Sequence, residues 1–249
     1  MVLQQVNLSE REHSERVRSM FAGIAGRYDF LNHLLSCNTD KRWRRLVVKN
    51  LKDRLTTDNA RILDIACGTG DLALALAGSS RARVIGTDFC RPMLEIAARK
   101  ANANQSNPVP FVEGDALALP FADCTFDAVT IAFGLRNLAS VDQGLDGLLR
   151  VLKPGGRAVI LEFSTPVVPG FRSVFQFYFK RVLPRVGAMM SGSRLAYEYL
   201  PDSVSRFPDQ KRLANMMRES GFVDVDYKNL TGGIAALHTG TRPKDSSSL

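Results

Sequence analysis

The stretch that most constrains this chain is Arg61-Ile-Leu-Asp-Ile-Ala-Cys-Gly-Thr-Gly-Asp-Leu-Ala-Leu-Ala-Leu-Ala77. Ile62 to Cys67 is an apolar run with one acid in it, Asp64; it breaks at Gly68-Thr69-Gly70 and resumes in good helix formers. That is a strand, a turn that needs bare backbone, and a helix whose first N–H groups point into the turn. In an open α/β sheet such a turn sits at the carboxyl edge of a strand, where ligands bind.

The glycines alone do not choose the ligand. Gly68, Gly70 and Ala73 satisfy G-x-G-x-x-G/A, so a dinucleotide fold has a claim. Asp64 argues against it, because a nicotinamide-binding strand is usually apolar there and a carboxylate is costly to bury unpaired. The acid makes sense if it holds a cation such as a ligand's α-amino group, directly or through water. A second strand, Arg83 to Thr87, ends in Asp88, placed to accept from both hydroxyls of a ribose. A third, Val109 to Gly114, ends in Asp115-Ala116, where an acid can accept from an adenine amino group. Binders of amine, ribose and adenine in that order, with no pyrophosphate to neutralise, describe S-adenosylmethionine. The competing reading makes these acids helix caps and solvated turn residues.

At 249 residues the chain is one large domain or a domain with a small cap, and 45% hydrophobic content is enough for a full core. Cys37, Cys67, Cys90 and Cys124 lie far apart with no C-x-x-C, so neither a zinc site nor a disulfide framework is expected, and no metal is. No apolar run reaches membrane-spanning length and no signal-peptide core is visible at the start, which gives the expectation of a cytoplasmic protein. The net charge of +8 is concentrated at Lys41 to Arg45 and from Arg172 to Arg185. That suits nucleic acid, an anionic membrane surface or plain solubility. No RNA-recognition or zinc motif is present, so nucleic acid is not expected as a partner.

Along the chain, Ser9 to Ala22 reads as an amphipathic helix, and a helix opens at Trp43 and runs to about Asp53. Residues 1–55 precede the sheet and read as a helical lid; residues 56–249 read as the α/β domain. There strands and helices alternate in the βαβ manner: helix Cys90 to Ala103, strand Phe126 to Gly134, helix Val141 to Leu152, and strand Arg157 to Phe163 after Lys153-Pro154-Gly155-Gly156. From about 165 to 207 the pattern changes, with Phe171, Phe175, Phe177, Tyr178 and Phe179 interleaved with Arg172, Lys180, Arg181 and Arg185. This insertion precedes a helix, Asp209 to Ser220, and two strands, Val223 to Leu230 and Ile234 to His238.

These motifs resemble class I S-adenosylmethionine-dependent methyltransferases, and more narrowly the C-methyltransferases of menaquinone and ubiquinone biosynthesis. Tyr28-Asp29-x-x-Asn32-x-x-Leu35-Ser36 running to Trp43 is similar to one signature, and Arg150-Val-Leu-Lys-Pro-Gly-Gly followed by Leu161-Glu162-x-Ser164 to a second. Phe133-Gly-Leu-Arg-Asn137, Tyr199-Leu-Pro-x-Ser-Val204 and Leu230-Thr-Gly-Gly-x-x-Ala-Leu-His238 also match. The likeness spans about residues 15 to 240. It implies a Rossmann-like seven-stranded methyltransferase sheet, S-adenosylmethionine as cofactor, and contacts carried over to Thr69, Asp88, Asp115 and Ala116. The departures are Leu31 where methionine is usual, Asp40 where histidine is, and Ala132 where some members carry a serine that contacts the cofactor.

The implied reaction is C-methylation of a demethylated polyprenyl quinol, most directly demethylmenaquinol. An enzyme serving both quinones and, from another class, an RNA methyltransferase stay as alternatives, as does a binding protein that keeps the fold without chemistry. A hydroquinone carbon becomes nucleophilic when the neighbouring hydroxyl loses its proton, and a fixed guanidinium favours the phenolate. Arg136, following the fourth strand, is the candidate. Asn137 can hydrogen-bond a quinol oxygen, Tyr28 can orient the ring or relay a proton, and Asp29 is a weaker candidate base. A polyprenyl substrate resides in the bilayer, so the aromatic and basic insertion is expected to reach the membrane surface at the inner face. Homo-oligomerisation stays open.

Overall fold

The computed structural model describes residues 2–29, 36, 38–103, 108–168 and 194–244. Its centre is a seven-stranded sheet: β1 Arg61–Ile65, β2 Arg83–Asp88, β3 Phe111–Glu113, β4 Phe126–Ala132, β5 Leu152–Phe163, β6 Val223–Leu230 and β7 Ala235–Thr241. The spatial order is β3-β2-β1-β4-β5-β7-β6. β1 to β5 pair in parallel, and β7 runs antiparallel to both β5 and β6. The reversal follows from the connection. β6 and β7 are joined by a tight turn at Thr231–Gly233, and so short a link allows only an antiparallel pair. Gly232 and Gly233 supply the positive φ that the turn needs.

Helices cover both faces: α1 Val2–Ile24, α2 Thr39–Asn50, α3 Lys52–Leu55, α4 Asp71–Ala77, α5 Arg91–Ala103, α6 Val141–Val151, α7 Arg194–Arg206 and α8 Gln210–Glu219. β1 and β4 therefore lose water on both sides and are apolar almost throughout. Ile62, Leu63 and Ile65 are fully buried, as are Phe126, Ala128, Val129 and Ile131. On one face they pack with Trp43, Val47, Leu51, Leu72 and Leu76; on the other with Leu145, Leu148, Leu213 and Met217. The buried polar residues of these two strands stand opposite each other, Asp64 on β1 in register with Thr130 on β4.

The chain leaves β1 towards β2 and β3, then crosses back to β4 and β5. The strand order thus reverses between β1 and β4, and a crevice opens at their carboxyl ends. That crevice holds the site.

Several boundaries differ from the sequence reading. α1 is longer than Ser9 to Ala22, and α2 starts at Thr39, so Trp43 lies inside the helix instead of opening it. Trp43 is buried and its indole donates to Thr231 at 3.1 Å, which makes it a core anchor. β3 is trimmed to three residues because Pro108 and Pro110 have no N–H to give the ladder. Lys153-Pro-Gly-Gly156, placed ahead of the strand in the sequence reading, is taken into β5 as an irregularity: Phe126 pairs with Leu152 and Ala128 with Arg157. The aromatic and basic part of the insertion, with Leu31, Asn32, Leu35 and Cys37, lies outside the described residues.

Candidate active site

The glycine turn is shaped by backbone geometry that side chains resist. Ala66, Gly68 and Gly70 all have positive φ, at 50°, 55° and 83°. Gly70 caps α4, and a Cβ there would stand 2.9 Å from the Ala97 Cβ and 3.0 Å from the Phe111 ring. Gly70→Ala combines left-handed strain with overpacking and is expected to cost about 2–4 kcal/mol. A urea midpoint unchanged from the parent would refute this.

Two adjoining cavities flank the turn. The larger, about 680 Å³, is lined among others by Asp88, Asp115, Ala116, Tyr28, Phe133 and Asn137. The smaller, about 430 Å³, is lined by Asp64, Thr69 and Arg44 among others, and shares Tyr28, Gly68 and Phe133 with the first. Six of the seven proposed cofactor residues line these cavities: Asp64 near the end of β1, Gly68 and Thr69 in the turn, Asp88 ending β2, and Asp115-Ala116 after β3; Gly70 lines neither and packs against Ala97 and Phe111.

Their carboxylates are held in place. Asp88 accepts from the backbone N–H groups of Gly68 and Cys90, each at 2.8 Å, so it is fixed against the turn with lone pairs left over. Burial pushes its pKa up, against the pull of those N–H groups. Asp115 accepts from Leu117 N–H at 2.9 Å, which orients it at the cleft. Asp64 is 1% exposed and accepts from the Thr130 hydroxyl at 2.6 Å; its other oxygen, Oδ2, is buried with no partner among the described residues. Burial pushes its pKa up to about 7. A buried carboxylate in a cavity wall, with one oxygen short of a close hydrogen-bond partner among the described residues, is the arrangement a cationic ligand group would complete.

The three residues singled out for chemistry are placed differently from one another. Tyr28 reaches both cavities, its ring edge-on to Phe21 at 5.8 Å. Asn137 lines the larger one; its amide donates to Phe133 O at 3.2 Å and accepts from the Tyr199 hydroxyl at 3.2 Å. Arg136 lies beside the cleft, not on its lining. It is 7% exposed, paired with Glu162 Oε1 at 2.8 Å, bonded to Phe133 O, and stacked 5.2 Å over the Phe163 ring. Its Nε is buried with no acceptor among the described residues. Asp29 does not stand free to act as a base, because it accepts from Thr69 and pairs with Lys100.

Three contributors were missed. Glu162 appeared in the sequence only as part of a signature, although a buried acid at the end of a core strand calls for a cation. Lys100 carried no local signal. Phe133 has φ +58°, an uncommon conformation for a bulky residue, and its carbonyl receives both Arg136 and Asn137.

The sheet order and the glycine turn at its switch point define the methyltransferase class of α/β fold. The structure matches a solved protein from Thermotoga maritima titled a SAM-dependent methyltransferase, possible histamine N-methyltransferase, with a TM-score of 0.60 and 17% identity, covering 91% of this chain and 99% of that one. At that identity the likeness is one of fold. The model of the ubiE/COQ5 methyltransferase family matches residues 9–242, and the chain belongs to that family. It is 52% identical over 225 residues to the demethylmenaquinone methyltransferase of Thermus thermophilus, covering 90% of this chain and 100% of that one. It is 46% identical over 234 residues to the ubiquinone/menaquinone biosynthesis C-methyltransferase UbiE of Geobacter sulfurreducens, covering 93% of this chain and 90% of that one.

Proposed function

We propose that this protein methylates a ring carbon of a demethylated polyprenyl quinol, demethylmenaquinol in the first place, with S-adenosylmethionine as donor. The observation that carries the cofactor assignment is the row Asp64, Asp88 and Asp115 along one sheet edge, with Asp64 Oδ2 lacking a partner among the described residues. The substrate assignment rests on family membership and on what the Thermus thermophilus relative is called. S-adenosylmethionine, bound there, supplies a methyl group on a sulfonium, already a good leaving group.

What the chain must add is a nucleophilic carbon. A phenolic proton has a pKa of about 10, so the site must favour the phenolate by roughly 1–3 units. Arg136, buried beside the cleft, can favour the phenolate through its charge, and Glu162 with Phe133 O holds the guanidinium in one orientation; its Nε, a donor without an acceptor among the described residues, would meet a quinol oxygen only if the substrate reaches past the cleft lining. The Asn137 amide lies on the cleft wall next in sequence and can take the second contact to the ring oxygen. Tyr28 orients the ring from the other side. Residues 1–55 act as a lid: Ser14 and Phe21 from α1 and Tyr28 line the cleft and keep water from the reacting carbon.

A dual quinone specificity is the second reading, favoured by the name of the Geobacter sulfurreducens relative. No helix among the described residues is long and apolar enough to cross a membrane, so access to a bilayer quinol would come by peripheral contact. Failure to float with anionic liposomes at physiological salt would refute that contact. The deciding experiment is transfer of labelled methyl to reduced demethylmenaquinol, beside the ubiquinone precursor and bulk RNA. Label in the naphthoquinol alone is the expected result. Label in both quinols establishes the dual reading, and label in RNA or in none overturns the proposal.

A further inference from the structure

A chain of hydrogen bonds and ion pairs runs outward from the glycine turn. The Thr69 hydroxyl, 3% exposed, donates to Asp29 Oδ1. Asp29 Oδ2 is 2.5 Å from Lys100 Nζ on α5, which is 2.7 Å from Asp71 Oδ1 in the first turn of α4. Asp71 Oδ2 is 2.8 Å from Arg44, and Arg44 is 2.8 Å from Asp40. Asp29, Arg44 and Asp40 ahead of the sheet are thereby tied to Thr69, Lys100 and Asp71 of the sheet domain.

The consequence lies in the direction of the hydrogen bonds. A threonine hydroxyl has one proton, and an ionised carboxylate can only accept. With its proton directed at Asp29, Thr69 Oγ1 has only lone pairs left for the cavity it lines with Asp64. Asp64 adds the unpartnered Oδ2. Arg44, which also lines that cavity, spends its close contacts on Asp40 and Asp71; it attracts the Asp64 carboxylate only from a distance and leaves Oδ2 without a hydrogen-bond partner among the described residues.

We propose that Asp29 and Lys100 are positioning residues that fix the polarity of the Thr69 hydroxyl, so that Thr69 and Asp64 jointly accept from the ammonium group of the ligand's amino-acid part. The inference rests on the cofactor reading above. Lys100 anchors Asp29, Asp29 takes the Thr69 proton, and the turn presents acceptors only. Replacing Asp29 by an amide lets that position donate as well, and the Thr69 proton is then free to turn into the cavity and face the ammonium.

Calorimetric titration with two ligands tests this: S-adenosylhomocysteine, and 5′-methylthioadenosine, which keeps the nucleoside and lacks the amino-acid part. Asp29→Asn is expected to weaken S-adenosylhomocysteine about tenfold, the loss of one charge-assisted contact, and to leave 5′-methylthioadenosine within twofold of the parent. Lys100→Met should act in the same direction by three- to tenfold, and Lys100→Arg should restore binding. Equal losses for both ligands would mean that the pair merely holds the pocket's shape, and no loss for either would mean that it does nothing there; each overturns the inference. A parent protein that binds neither ligand would instead overturn the cofactor reading itself.

Discussion

Asp64→Asn is expected to change stability and binding in opposite directions. In the folded chain without ligand the Asp64 carboxyl titrates near pH 7, because burial outweighs the Thr130 hydroxyl; in the unfolded chain it titrates near 4. Between those values the native state holds a proton that the unfolded state has lost, so stability falls as pH rises, at about 1.4 kcal/mol per unit. The parent should therefore lose about 3 kcal/mol relative to Asp64→Asn between pH 5 and pH 8, read from urea unfolding at both. Binding moves the other way, since a cationic ligand selects the carboxylate. The parent's affinity for S-adenosylhomocysteine should rise about tenfold from pH 6 to pH 8 as the ionised fraction grows. The asparagine variant should bind about a hundredfold more weakly at pH 8, with no such rise. Parallel pH profiles for the two proteins would sink the assignment of Asp64 to the ammonium.

Asp64 also marks how far the sequence could be read. An acid in an apolar strand is visible locally, and in the structure the same misfit is a buried carboxylate in a cavity wall. Its neighbour Thr130 lies 66 residues away and becomes relevant only through the register of two parallel strands. The turn glycines and the acids ending β2 and β3 were legible for the same local reason: strand periodicity fixes where an edge must fall. β6 was bounded correctly at Val223–Leu230, since turn residues delimit it on both sides. β3 and the start of β5 were not, because prolines within a strand pattern alter the ladder in ways that depend on the partner strand.

Electrostatic partnership was the least legible layer. Arg136 was found because it follows β4, but the pattern said nothing of Glu162, which approaches from the end of β5. Asp29 read as a spare base because Thr69 and Lys100 meet it only after the chain has folded. In each case the residue's place relative to the strands was legible and its electrical environment was not, since charge pairing is a property of the tertiary arrangement.

Arg136→Met should separate folding from chemistry at that pair. Removing the cation leaves Glu162 1% exposed, still accepting from the Phe163 N–H at 2.8 Å but without its countercharge. An uncompensated buried charge of this kind costs about 3–5 kcal/mol. The single variant should accordingly unfold at markedly lower urea and lose methyl transfer, a result that alone does not distinguish damage from mechanism. Arg136→Met combined with Glu162→Gln removes both charges and should recover most of the stability, because a neutral amide needs no cation. If Arg136 supplies the donor to the quinol oxygen, the double variant should keep parental affinity for S-adenosylhomocysteine while kcat stays about 10²–10³-fold below the parent, the usual loss for one preorganised donor. Arg136→Lys should fall between, since an ammonium cannot serve Glu162, Phe133 O and a substrate oxygen with the fixed fork of a guanidinium. A double variant that regains both stability and turnover would assign the pair to the core alone and leave the phenolate to Asn137 and Tyr28.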